Sequence, residues 1–202
     1  MINKKIEKLT KGQATSKKIL KSAGELFYKH GYQSTTVANI ADKAGVAVGT
    51  FYLYYKDKYT IYETVLTNYQ RDIRHHIQEA IKDATTRKER ERLGLRAWLK
   101  FVATNHHVYR VIWESLFVEP DLFKNYYTKF GESYAVALKK DGILADEDID
   151  LKTVAFMLMG ISNFVGLRTL FENKHDDAAI DKICDDVIKV LDRDLFKNPL
   201  AD

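Results

Sequence analysis

Apolar residues recur at spacings of three and four along most of the chain, and β-branched runs of period two are missing, so the pattern predicts an all-α protein. The first such face is Ile19, Leu20, Ala23, Leu26 and Phe27, on a helix capped by Thr15 or Ser16 and ended at Gly31. Thr35 reads as the cap of a second helix, with Val37, Ile40, Ala41 and Ala44 inward and Gly45 as its stop. A very short third helix covers about Val48 to Tyr54, and a fourth runs from about Tyr59 to Ala84 with a stripe from Ile61 to Ile77. Further helices are expected near 88–105, 107–117, 121–140, 150–173 and 178–196, about nine in all. Pro120-Asp121 is a helix start and Asp141-Gly142 a stop, while Asp146-Glu147-Asp148 places negative charge where the next helix dipole favours it.

Two short helices joined by a glycine-containing turn, 35–44 and 48–54, have the form of a helix-turn-helix, whose second helix enters the DNA major groove. Charge supports this reading. Residues 1–58 carry eleven Lys against four acidic residues, a balance of +7, within a chain of net +4, so the remainder carries −3. A basic end on an acidic body is the electrostatic footprint of a nucleic-acid module. The expected domains are 1–58, with a basic arm over 1–14, and 59–202.

Candidate contacts follow from side-chain chemistry. Gly49 removes a side chain at the tip of the third helix and lets the backbone approach base edges. Thr50 offers a hydroxyl and a methyl to a base edge. Tyr52 and Tyr54 can donate to phosphate, and Lys58 stands at a helix start where amides also attract an anion. Thr35 and Thr36 place hydroxyls near the opposite phosphate strand, Thr35 as a cap, a phosphate contact or both. Phe51 and Tyr55, one turn apart, read as core residues that brace the short helix. Ala47 cannot cap that helix, which costs it about 1 kcal/mol.

Residues 16–62 resemble the DNA-binding domain of TetR-type transcriptional repressors. The matching pieces are Ile19 to Phe27, Gly31-Tyr32, Thr35 to Ala41, and Gly45 to Lys58, in order and spacing. The resemblance implies that Thr36, Thr50, Tyr52, Tyr54 and Lys58 stand at positions that commonly touch DNA, with Val48 and Leu53 at variable reading positions. It also implies a homodimer whose C-terminal domain binds a small effector, and a repressor released from a palindromic operator.

The body gives weaker signals. Ten aromatics fall within residues 98–134, which reads either as solid core or as a pocket for a mainly apolar or aromatic effector. The candidate lining is Trp98, Phe101, Asn105, Trp113, Phe117, Tyr126, Tyr127, Phe130 and Asn163, with Arg110, Glu114 and Arg168 as further polar anchors. Ala155, Met159, Ser162 and Gly166 form a small-residue stripe that could let another helix approach. With the last helix it could build a two-fold interface through 150–173 and 178–196.

Several classes are set aside. Cys184 is the only cysteine, which fits a reducing compartment and forbids an internal disulfide. No run of about 18 apolar residues and no secretory signal stand out, so a cytoplasmic protein without a membrane span is expected. His75-His76 and His106-His107 are adjacent pairs rather than helical metal pairs at spacing three or four. No nucleophile motif, Walker loop or dinucleotide fingerprint is present. Neither metal, cofactor nor enzymatic activity is expected. The rival reading is a helical lipid or small-molecule carrier without DNA function.

Overall fold

The computed structural model describes residues 10–142, 148–173 and 175–192. Among them are nine helices and no strand: α1 (Lys11–Ser34), α2 (Val37–Ala44), α3 (Val48–Tyr52), α4 (Lys58–Ile81), α5 (Arg87–Thr104), α6 (His106–Val118), α7 (Pro120–Lys140), α8 (Leu151–Phe171) and α9 (Asp177–Asp192). Residues 1–9 of the expected basic arm, Asp146-Glu147 and the end of the last expected helix lie outside the described residues.

Local chemistry sets most boundaries. Thr10 caps α1 in a reciprocal box with Gln13, ahead of the expected cap at Thr15 or Ser16. Thr15 instead donates to the Lys11 carbonyl inside the helix. Gly31, at φ 76°, breaks the helical path near its end. Thr36, not Thr35, caps α2 in a second box with Asn39. Gly45 ends α2 in the left-handed conformation, φ 62°, and Val46 N–H returns to the Ala41 carbonyl. α3 is five residues long, shorter than expected, and Ala47 supplies no side-chain cap to it. Asp57 caps α4 by accepting from Thr60 N, and that hydrogen bond holds its carboxyl below the usual carboxylate range. Asp150 caps α8 with two backbone amides.

One apolar cluster runs through both halves. Ile19, Ala23 and Phe27 of α1 meet Ile40 and Ala44 of α2, Phe51 of α3, and Ile61 and Tyr62 of α4. The cluster continues into Leu99 and Val102 of α5, Val111 of α6 and Ile180 of α9. α4 therefore serves both halves: Tyr62, Val65 and Tyr69 meet Phe27 and Gly24 of α1, while Ile77 and Ile81 lie beside Gly94 of α5. α6 also packs on α1, and the buried Tyr62 hydroxyl donates to the Val111 carbonyl. Cys184 sits in this core, and burial pushes its thiol up to about 11, so it is a packing residue rather than a reactive one.

The body departs from expectation at α8. The stripe of Ala155, Met159, Ser162 and Gly166 faces inward, not an empty surface: Ala155 packs with Leu138 of α7, and Ser162 and Gly166 meet Trp98 of α5. Trp98 Nε1 donates to the Ser162 carbonyl at 3.0 Å, and a Cβ on Gly166 would lie 3.1 Å from that same nitrogen. The small side chains thus make room for the Trp98 indole. The exposed face of α8 holds Met157, Phe164 and Phe171 instead. By length and composition α8 could cross a membrane, contrary to the expectation from sequence. Its other face is buried against α5 and α7, as in the core helix of a globular body.

Candidate functional site: the helix-turn-helix surface and the interior cavity

The α2–turn–α3 unit is anchored from below and bare above. Phe51 is fully buried, worth about 1.5–3 kcal/mol for a side chain of its size. Tyr55, also buried, shares a 3.0 Å hydrogen bond with Ser16 Oγ of α1. On the outer side Val48, Tyr52, Leu53 and Tyr54 are all exposed, Leu53 at 79%. Thr50 is half-buried between them. A Cβ on Gly49 would meet nothing within 4 Å, so the absent side chain relieves no internal contact.

Two expected contacts are placed differently. Thr35 is buried and its hydroxyl donates to the Gly31 carbonyl at 2.8 Å, so it pins the α1–α2 turn and presents nothing to a ligand. Lys58 is turned back on the same turn. Its Nζ donates to the Tyr32 carbonyl at 2.9 Å and lies 4.3 Å from the centre of the Tyr32 ring. Thr36 is exposed, and its hydroxyl is engaged with Asn39. The outward set is therefore Thr36, Val48, Gly49, Thr50, Tyr52, Leu53 and Tyr54.

The body contains a cavity of about 780 Å³ between α4, α5, α7 and α8. Of the expected lining, Trp98, Tyr126, Tyr127, Phe130 and Asn163 are brought together there. Four are not. Phe101 packs on His76, and Asn105 donates to the Phe101 carbonyl at the α5–α6 corner. Trp113 lies between Tyr109 and Phe123 in tilted ring contacts, and its buried Nε1 has no hydrogen-bond partner among the described residues. Phe117 points outward, 83% exposed. The ten aromatics are thus part core and part cavity wall. Of the other polar anchors, Arg110 lies over Tyr28, Glu114 accepts from Tyr32 N, and Arg168 pairs with Glu172.

The polar part of the wall was missed. α4 contributes Arg71, Arg74, His75 and Gln78, and the start of α5 contributes Arg87, Arg90 and Glu91. A signal existed on α4, where 71, 74, 75 and 78 share a helix face beside the apolar stripe. Burial raises the Tyr126 and Tyr134 phenols to about 12 each, so both stay protonated donors. Asn163 Oδ1 accepts from the Tyr127 hydroxyl at 3.3 Å, and its Nδ2 donates to the Met159 carbonyl, so both ends of the amide are held.

A helix-turn-helix with a bare outer face, carried on an all-helical body with a large cavity, is the arrangement of a DNA-binding regulator. Residues 19–65 match the family model of bacterial regulatory proteins, tetR family. Over these residues, about a quarter of the chain, the sequence is similar to the N-terminal region of that family. Over 105 residues it is 29% identical to the HTH-type transcriptional activator FasR of Mycolicibacterium smegmatis, covering 52% of this chain and 48% of that one. Over 90 residues it is 32% identical to the fatty acid metabolism regulator protein of Bacillus subtilis, covering 45% and 46%. The alignments thus span about half the length of these curated relatives. The transcriptional regulator FadR of Bacillus subtilis, solved in complex with stearoyl-CoA, superposes with a TM-score of 0.64 at 21% identity, covering 87% of this chain and 96% of that one. That likeness shows the shared fold.

Proposed function

We propose that the chain is a dimeric DNA-binding transcriptional regulator whose operator affinity falls when a long-chain acyl thioester occupies the body cavity. The observation that carries this reading is α4, which begins six residues after α3 and supplies one wall of the cavity. Any ligand that displaces α4 changes where α3 sits. Only a ligand that prefers the displaced arrangement shifts the equilibrium.

The outward residues divide by chemistry. Tyr52, Tyr54 and Thr36 would position the unit on phosphates; Thr50, Val48 and Leu53 would read base edges, with Gly49 allowing close approach. Lys58 acts indirectly, by holding the Tyr32 turn beneath α2. The dimer would form through the exposed apolar face of α8, with Met157, Phe164 and Phe171, and through Val190 of α9. Such a pair would set two α3 helices into successive major grooves of a palindrome.

The ligand class follows from the cavity wall. Ile73, Ile77, Ile81, Leu95 and Phe130 suit an alkyl chain, while Arg71 and Arg74 supply cationic side chains, with His75 beside them. Two relatives lend support: one is named for fatty acid metabolism, and FadR was solved with stearoyl-CoA.

The test is a gel shift with the DNA upstream of the chain's own reading frame, titrated with palmitoyl-CoA and, as control, free coenzyme A. Retardation reversed by the thioester alone is expected. A chain that binds palmitoyl-CoA but retards no DNA would be a carrier, and the regulatory reading would fall.

A further inference from the structure

The cavity is polar at both ends. Along α7, Tyr126, Phe130 and Tyr134 line it at spacings of four. Tyr126 feels the charge of Arg74 and Tyr134 that of Arg87, so α7 spans from one arginine-bearing end to the other. Eight residues of helix separate these two tyrosines by about 12 Å, the reach of a chain of about ten to twelve carbons.

The two ends differ in kind. At the Tyr126 end Arg71 and Arg74 are exposed, as an anionic head group needs. The Tyr134 end is a closed network. The Arg87 side chain, 9% exposed, donates to Glu91 and to Asp141, and Arg90 donates to Asp141 as well. The Tyr134 hydroxyl donates to Glu91, and the Arg87 guanidinium lies 5.1 Å from the centre of the Tyr134 ring. Arg87 Nε is buried without a hydrogen-bond partner among the described residues. Arg87, Arg90, Glu91, Ser133 and Tyr134 all belong to the cavity wall.

A plain alkyl terminus would strip water from this end and return no hydrogen bond, which costs free energy for every polar group left dry. The network holds two arginines against two carboxylates, so it offers no surplus charge to a second anion. A neutral group that both donates and accepts meets these conditions. Building on the acyl-thioester reading, we propose that the far end of the cavity is a subsite for a hydroxyl near the terminus of the acyl chain, and that the preferred ligand is a terminally hydroxylated acyl group of about twelve carbons rather than a plain one.

The experiment compares dodecanoyl-CoA, 12-hydroxydodecanoyl-CoA and the mono-thioester of dodecanedioic acid by isothermal titration against the full-length chain. The hydroxylated thioester should bind at least about five-fold tighter than dodecanoyl-CoA, although it is the more water-soluble, and the diacid thioester should bind weakest. In the double variant Arg87→Leu with Glu91→Leu, checked for folding by thermal melt, the order of the first two should reverse. If that variant does not fold, the comparison in the unaltered protein decides alone. Equal or tighter binding of dodecanoyl-CoA overturns the hydroxyl subsite and leaves the acyl-thioester reading standing. A preference for the hydroxyl that survives in a folded double variant overturns the assignment to Arg87 and Glu91. Failure of all three thioesters, with palmitoyl-CoA also failing to bind, overturns both readings.

Discussion

Glu114 is the sharpest place to test how the body speaks to the DNA-binding half. It stands on α6, beside Trp113, whose ring contacts run through Phe123 to Tyr127 in the cavity wall. Its Oε1 accepts from Tyr32 N at 2.9 Å, on the same turn that Lys58 holds from the other side. Gly31 at φ 76° leaves space for this contact, since a Cβ there would lie 2.8 Å from Glu114 Oε1. A hydrogen bond to a charged acceptor contributes about 1.5–3 kcal/mol, and the half-exposed setting puts Glu114 toward the lower figure, about 1–1.5 kcal/mol. For a chain of this size Glu114→Ala should lower Tm by roughly 2–6 °C. If the contact is also the joint that transmits cavity occupancy, the same 1–1.5 kcal/mol is lost from coupling, and the ratio of operator affinities without and with palmitoyl-CoA should shrink about five- to ten-fold. Glu114→Gln keeps the shape and an acceptor and should lie between. Fluorescence anisotropy on labelled operator, with and without ligand, reads the ratio, and a thermal melt reads the stability. A Glu114→Ala protein that loses stability as expected but keeps its full ligand response would refute the coupling role and leave a merely structural one. Gly31→Ala attacks the same joint from the opposite side and should cause at least as large a loss, because φ 76° with ψ 167° is a backbone region essentially confined to glycine and adds strain of about 1–3 kcal/mol to the clash.

Other expectations concern the outer surfaces and pH. Thr50→Ala should cost roughly 1–3 kcal/mol on operator but little on random DNA, while Tyr52→Phe should weaken both alike; equal losses on both DNAs for both variants would void the division between reading and positioning. Phe164→Asp places a charge on the exposed face of α8 and should convert dimer to monomer in analytical ultracentrifugation, with a melt little changed because Phe164 is 68% exposed. An unchanged dimer would move the interface elsewhere. His107 lies between Tyr28 of α1 and Tyr69 of α4, and burial, then His106, push its pKa below the ordinary 6.5, with Glu25 opposing. The folded protein thus favours the neutral ring. Its stabilising contribution is complete above 6.5 and is lost as pH falls below that value. The melting temperature should fall more over that acid window in the unaltered protein than in His107→Gln, and parallel profiles would exclude His107.

Local signals carried far in this chain because helices are specified over a few residues. The spacing of Ile19, Ala23 and Phe27, the left-handed stop at Gly45 and the start at Pro120 depend only on neighbours along the chain, and the elements they imply are present. The bracing role of Phe51 and Tyr55 was legible for the same reason, since residues one turn apart share a face. Side chains whose partners are distant in sequence could not be placed this way. Thr35 and Thr36 are equally good caps by composition, and only the turn at Gly31 decides that Thr35 is buried and Thr36 caps. Lys58 has the chemistry of a phosphate contact, yet the Tyr32 carbonyl, twenty-six residues away, captures its ammonium. Small residues on α8 permit a close neighbour without naming it, and packing made that neighbour the Trp98 indole. The cavity is the extreme case. Its aromatic wall showed as a density of rings, but whether rings fill space or enclose it depends on how four helices meet, and that is decided by tertiary packing alone.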